Sequence, residues 1–169
     1  DLKRFFNQQL KQWEDARKRY QDLRDVKTKQ LGILRVQYNP ARMVSTGAKI
    51  DAHTLAQRPC FLCASNRPKE QLTKRLDDDF CLLVNPFPIL PVHFTIPALR
   101  HEPQAILSQY GGVHRLLSRD KALVVLYSGP KCGASAPDHQ QLQGGESGLV
   151  PLQREWKRMQ QSLEPIVTL

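Results

Sequence analysis

Phe80-Cys81-Leu82-Leu83-Val84-Asn85-Pro86-Phe87-Pro88-Ile89-Leu90-Pro91-Val92-His93-Phe94-Thr95-Ile96-Pro97 is the stretch on which the fold turns. Phe80 to Asn85 is a short apolar run led in by the turn-like acidic cluster Asp77-Asp78-Asp79, and it reads as a strand. Pro86 to Pro91 holds too much proline for a regular element. A further strand over His93 to Ile96 follows and stops at Pro97. Adjacent strands with so short a connection favour an antiparallel α+β arrangement over a doubly wound parallel sheet.

Working outward, Leu34, Val36 and Tyr38 alternate with Arg35 and Gln37, which predicts a strand ended by Asn39-Pro40. Residues 41–57 read as a mostly irregular connection. On the far side, Ile106, Tyr110, Val113 and Leu117 stand at helical spacing within 103–118, although Gly111-Gly112 weakens that helix. Ala122 to Tyr127 suits a buried strand, Gly129 to Pro137 a small-residue loop, and His139 to Gln143 another strand. Leu152, Trp156, Met159 and Leu163 predict a final amphipathic helix. At the N-terminus, Leu2, Phe6, Leu10, Trp13, Tyr20 and Leu23 form the apolar stripe of a helix packed on the domain.

The 169 residues are about one domain's worth of chain, and 40% apolar with 24% charged residues excludes a disordered or fibrous chain. No apolar run nears the ~18 residues that span a bilayer, and Asp1 to Phe6 lacks a secretory signal pattern. A cytoplasmic chain with no membrane partner is expected. The net charge of +9 is uneven: residues 1–75 carry +10 and residues 76–169 carry −1. The basic half either attracts nucleotides, nucleic acid or an acidic surface, or is a solvated helix face. Aromatics do not interleave with it as on a nucleic-acid platform, so no nucleic-acid partner is expected.

Cys60 and Cys63 form a Cys-x-x-Cys, a spacing that reads as metal-binding or redox rather than as a disulfide framework. Cys81 reads as a small buried hydrophobe. In the loop before 139, glycines and small neighbours let backbone amides approach an anion, and Lys131 offers a point charge for phosphate. If residues 139–143 are extended, His139, Gln141 and Gln143 share one face. His53 and His114 fit no site.

Asp138-His139-Gln140-Gln141-Leu142-Gln143 resembles the Asp-His-x-His-Leu-Gln motif of dinucleoside-polyphosphate phosphorylases. These belong to the histidine-triad (HIT-like) superfamily, in the branch of galactose-1-phosphate uridylyltransferase. Gly133-Ala134-Ser135 matches that branch's small-residue loop, and Val84 to Pro97 followed by His101 resembles its strand, proline loop and His-bearing strand. The likeness covers roughly residues 58–150. It implies a HIT-like antiparallel sheet with packed helices, divided as an N-terminal helical extension (1–32) and a nucleotide-binding domain (33–169).

The resemblance further implies a nucleotidyltransferase or phosphorylase acting on a phosphoanhydride, in a dinucleoside polyphosphate or nucleotide sugar. In the family, the motif's middle histidine attacks phosphorus and forms a nucleotidyl-histidine intermediate. Gln143 and the loop at Gly133, Ala134 and Ser135 would hold phosphate oxygens. Asn85 would lie near the nucleoside, and His93 would sit by the phosphates or support the pocket. A structural zinc would be held by Cys60, Cys63, His101 and His139.

The nucleophile's position is Gln141, whose amide nitrogen is not basic. Either the substitution was introduced to trap a substrate complex, or the protein kept binding and lost catalysis, or its chemistry differs. An enzyme impaired by Gln141 and an inactive nucleotide-binding module are thus the two main expectations. A third is a zinc-stabilised interaction domain that binds RNA or an acidic partner. Uridylyltransferase-type enzymes have two related halves. The resemblance therefore implies that groups from a second half are missing or come from another chain, as in a homodimer.

Overall fold

The computed structural model describes residues 1–32, 34–132 and 134–162. It opens on two helices, α1 (Leu2–Gln12) and α2 (Glu14–Asp22), where periodicity predicts one. The break is at Trp13, which is extended at φ −120° and ψ 96°. The Asp1 carboxylate accepts the Lys3 and Arg4 amide hydrogens and caps α1. A hairpin follows, β1 (Lys27–Leu31) paired antiparallel with β2 (Leu34–Tyr38). Gly32 takes the first turn position at φ +59°, where a side chain would be strained. Two short helices, α3 (Met43–Thr46) and α4 (Ala52–Gln57), lie in the segment read as mostly irregular. The Asp51 side chain caps α4 by accepting from the Thr54 amide.

The remaining elements are β3 (Lys74–Arg75), β4 (Cys81–Val84), β5 (His93–Pro97), α5 (Ile106–Arg119), β6 (Leu123–Leu126), β7 (Gln141–Glu146) and α6 (Pro151–Ser162). Five strands pair in the order β3-β4-β5-β7-β6, every pair antiparallel. The α+β arrangement is therefore as the strand spacing predicts. Strands β1 and β3 are additions to that reading. The last strand begins at Gln141 rather than His139. On α6, Leu152 and Trp156 are exposed. The Met159 side chain and Leu163 lie outside the described residues. No described helix is long and apolar enough to cross a membrane.

The central strands are buried on both faces, and alternate residues serve different layers. Leu82 and Val84 of β4, Phe94 and Ile96 of β5, and Leu142 of β7 join Leu2, Phe6, Tyr20, Phe80 and Leu116 in one apolar cluster. This is the face covered by α1, α2 and α5. Phe6 meets Tyr20 and Phe94 edge-on, with ring centroids 4.9 and 6.1 Å apart. Each fully buried phenylalanine contributes about 1.5–3 kcal/mol of transfer free energy. Cys81 and Leu83 join Cys60, Leu62 and Ala136 in a second cluster. Cys81 is fully buried, as its apolar neighbours predict.

Helix α5 runs unbroken through Gly111-Gly112. A Cβ on Gly112 would stand 2.9 Å from Phe80 Cε2. The glycine that weakens the helix in sequence thus lets it lie close to the sheet. The packed side of α5 runs through Gly112, Val113 and Leu116, and Tyr110 is exposed.

The N-terminal helices are part of the same core, and the boundary drawn between residues 32 and 33 falls inside the β1–β2 hairpin. Buried Gln9 fastens α1 to the chain before β3. Its Nε2 donates to Glu70 O at 2.7 Å, and its Oε1 accepts from Leu72 N at 2.6 Å. The Tyr20 hydroxyl lies 2.9 Å from Asn85 O and 2.8 Å from His93 O, where it donates to one at a time.

Candidate functional site

The layer opposite the helices holds two neighbouring features, a Cys/His cluster and a cavity. Four residues from three separated parts of the chain make the cluster. Cys60 Sγ lies 3.3 Å from His139 Nδ1, Cys63 Sγ lies 3.3 Å from His101 Nδ1, and Cys63 Sγ lies 3.7 Å from His139 Nδ1. All four donor atoms fall within 4.8 Å of one another. A tetrahedral centre with Zn–S of about 2.3 Å and Zn–N of about 2.0 Å sets S and N ligands about 3.5 Å apart, so the donor set fits such an ion.

Both imidazoles present Nδ1 inward. His139 Nε2 donates to Ala98 O at 3.0 Å, which leaves Nδ1 with its lone pair toward the sulfurs. Burial lowers the His139 pKa and keeps the ring in its neutral, ligating form. Burial and the neighbouring Cys60 raise the Cys63 thiol. Both cysteines are free rather than joined in a disulfide. His101 is about half exposed, so the cluster opens to solvent on its side.

The cavity is about 780 Å³. Its described lining includes Arg19 and Arg42 and no Asp, Glu or Lys, a balance that favours an anion. Trp13, Phe61 and Phe87 add aromatic surface. The Arg19 guanidinium carbon sits 4.3 Å from the Phe87 ring centroid, and its Nη1 donates to Pro86 O. A smaller hollow of about 370 Å³ between the hairpin and α6 lies apart from these groups.

Strand β7 delivers Gln141 and Gln143 to the cavity, as period two requires. His139 departs from that row. It precedes the strand, and its ring belongs to the Cys/His cluster. Gln141 is fixed by its neighbours. Its Nε2 donates to Ala136 O at 3.3 Å, its backbone amide donates to Gln104 Oε1, and its carbonyl accepts from Gln104 Nε2.

His93 does not line the cavity and supports it from behind. The Ile89 amide donates to His93 Nδ1 at 3.2 Å, which puts the ring hydrogen on Nε2. That N–H donates to Gln143 Oε1 at 3.0 Å. Oriented this way, the Gln143 carboxamide keeps two Nε2 hydrogens without a partner among the described residues. Burial pushes the His93 pKa down to about 4, so the ring is neutral.

Asn85 lines the cavity while its side chain holds the proline loop. Oδ1 accepts from Phe87 N at 2.8 Å, and Nδ2 donates to Thr95 Oγ1 at 3.0 Å. Ala134 and Ser135 are in the wall, as the small-residue loop predicts. Lys131 is exposed and stands outside the described cavity lining, next to Cys132, which is part of it. Gly133 lies outside the described residues. His53 is exposed beside Gln57, and His114 is exposed on α5.

Sequence reasoning missed Trp13, Arg19, Arg42 and Gln104. The first two lie in the segment read as a separate extension. Arg42 had no motif around it, and the side-chain partners of Gln104 stand 24 and 37 residues away at Ser128 and Gln141. Comparisons with curated proteins and with solved structures matched none. One family is shown: residues 5–146, most of the chain, match the description Domain of unknown function (DUF4922), and the chain belongs to that family.

Proposed function

We propose that this chain is a HIT-like nucleotide-binding protein of the uridylyltransferase and dinucleoside-polyphosphate phosphorylase branch. Its cavity holds the phosphoanhydride of a dinucleoside polyphosphate or nucleotide sugar, and Cys60, Cys63, His101 and His139 hold one structural zinc. The observation that carries this reading is the division of labour around β7. Gln141 and Gln143 enter an arginine-lined cavity beside Ala134 and Ser135, while His139 joins the Cys/His cluster.

Gln143 presents its Nε2 hydrogens to a phosphate oxygen, because His93 occupies its Oε1. Arg19 and Arg42 supply positive charge, and the aromatic rings supply a surface for a base. Zinc, when bound, closes a four-coordinate Cys₂His₂ centre that ties three loops to the sheet. Gln141 stands where the family's histidine attacks. Its amide lone pair is delocalised and its Nε2 is engaged with Ala136 O, so it does not form a phosphoramidate. The chain therefore retains binding, and covalent nucleotidyl transfer is lost.

Intact-mass spectrometry of the unsubstituted chain and Gln141→His, each incubated with diadenosine tetraphosphate and with UDP-glucose, tests this. Both forms should show a thermal shift with a binding nucleotide. Only Gln141→His should gain the mass of a nucleotidyl group. Losing a nucleophile costs several orders of magnitude in rate, so the contrast should be near all-or-none. An adduct on the unsubstituted chain, or no thermal shift from either form, overturns the reading.

A further inference from the structure

Between the Cys/His cluster and the cavity lies a pair of charged side chains that neither feature uses directly. Asp138 stands next to His139 in sequence. Its Oδ2 is 3.9 Å from His101 Nε2, on the far side of the ring from Cys63. Its Oδ1 is 3.7 Å from Arg58 Nη2, too long for a hydrogen bond. That oxygen and Arg58 Nε are both buried with no hydrogen-bond partner among the described residues. The same Arg58 Nη2 donates to Ser135 O at 2.6 Å. The guanidinium carbon lies 5.4 Å from the Phe61 ring centroid. Ser135 and Phe61 are both cavity wall.

A buried carboxylate oxygen without a donor is costly, and a carboxylate facing the outer nitrogen of a ligating histidine is the usual way such a ring is oriented. When a metal occupies His101 Nδ1, the ring hydrogen is confined to Nε2, which faces Asp138. Once the 3.9 Å gap closes to hydrogen-bond reach, the carboxylate has a donor on one side and Arg58 on the other. Without the metal, the ring is free to carry its hydrogen on Nδ1, and nothing draws Asp138 into a hydrogen bond with it.

We propose that Asp138 and Arg58 are positioning residues that couple the Cys60–Cys63–His101–His139 cluster to the cavity wall at Ser135, so that metal binding tightens the cavity's hold on a phosphate-bearing ligand. The inference rests on the reading of the cluster as a metal site. Linkage makes the coupling reciprocal: an anion in the cavity raises metal affinity by the same factor.

The test uses the full chain, stripped with chelator or loaded with zinc, and pyrophosphate as the probe. Zinc stoichiometry is measured first. Amide hydrogen exchange over residues 134–138 and pyrophosphate affinity by calorimetry follow. Zinc should slow exchange there and tighten pyrophosphate by about fivefold or more. Asp138→Asn and Arg58→Ala should each still bind one zinc per chain and lose both effects. Arg58→Lys, which keeps the charge and gives up the forked donor, should recover part of the affinity. Cobalt substitution adds a spectroscopic readout, because Asp138→Asn should change the visible bands through His101 and Arg58→Ala should not.

Zinc-loaded Asp138→Asn with unchanged loop protection and pyrophosphate affinity overturns the coupling and leaves the metal site standing. So does an unsubstituted chain that binds zinc with no change at residues 134–138. A stoichiometry of zero overturns both.

Discussion

The two faces of β4, β5 and β7 are built by different physics. On the helix side, Leu82, Val84, Phe94, Ile96 and Leu142 fill space, and their contribution follows from volume and area. On the other side, β4 still contributes apolar Cys81 and Leu83, while His93, Thr95, Gln141 and Gln143 of β5 and β7 are polar groups that are acceptable there because neighbours satisfy them. One face tolerates a residue of similar size, and the other tolerates only a residue with the same donors and acceptors. Substitutions that separate these demands show whether the faces are independent.

The largest effect on stability is expected from the helix face. Phe94 is fully buried and packs edge-on against Phe6. Phe94→Ala should cost about 3–5 kcal/mol, read as a fall in the urea midpoint. Pyrophosphate affinity of the folded protein should be unchanged. A cost below about 1 kcal/mol would mean that α1 is not held on the sheet as described.

A pH titration sharpens the contrast, because the helix face has nothing comparable to titrate. The His93 pKa is pushed from its usual 6.5 to about 4 by burial. Above pH 6.5 the ring is neutral in both folded and unfolded chains, and the shift has no effect. As pH falls from 6.5 toward 4, the unfolded chain takes up a proton that the folded chain refuses. Stability is then lost, by about 3 kcal/mol at pH 4. His93→Asn should flatten this part of the curve measured by urea unfolding, and equal slopes for the two proteins would remove His93 as the source.

Legibility in the sequence divides along the same line. Apolar runs and helical spacing locate β4, β5, β6 and α5 because apolar burial leaves a trace, whereas β2 alternates although all of its residues are exposed. The cluster of Cys60, Cys63, His101 and His139 is legible only through motif order, since donors 79 residues apart have no local signature. Gln9 and Gln104 left no trace at all. Each is a buried glutamine whose amide pairs with backbone far along the chain, and a polar residue in an amphipathic or irregular stretch reads as exposed. The break at Trp13 was hidden for the opposite reason: the apolar spacing continues across it while the backbone does not. Period two puts His139 with Gln141, but the turn that ends just before β7 sends its ring to the cysteines instead.

The smallest stability effect, and the most pointed test of the polar face, is Gln143→Glu. The exchange preserves size and keeps an acceptor for the His93 Nε2 hydrogen, so stability at pH 7 should change by less than about 1 kcal/mol. It also replaces two N–H donors with a negative charge inside a cavity lined by Arg19 and Arg42. Anion affinity should fall by at least about tenfold, equivalent to about 1.4 kcal/mol of binding free energy. The new carboxylate favours the protonated imidazole, so the His93 pKa should rise and the acid-induced loss of stability should shrink. Calorimetry with pyrophosphate and urea unfolding at pH 7 and pH 5 read all three consequences on one pair of proteins. Unchanged pyrophosphate affinity would mean that the Gln143 amide does not face the ligand, and the polar face would then be packing of another kind.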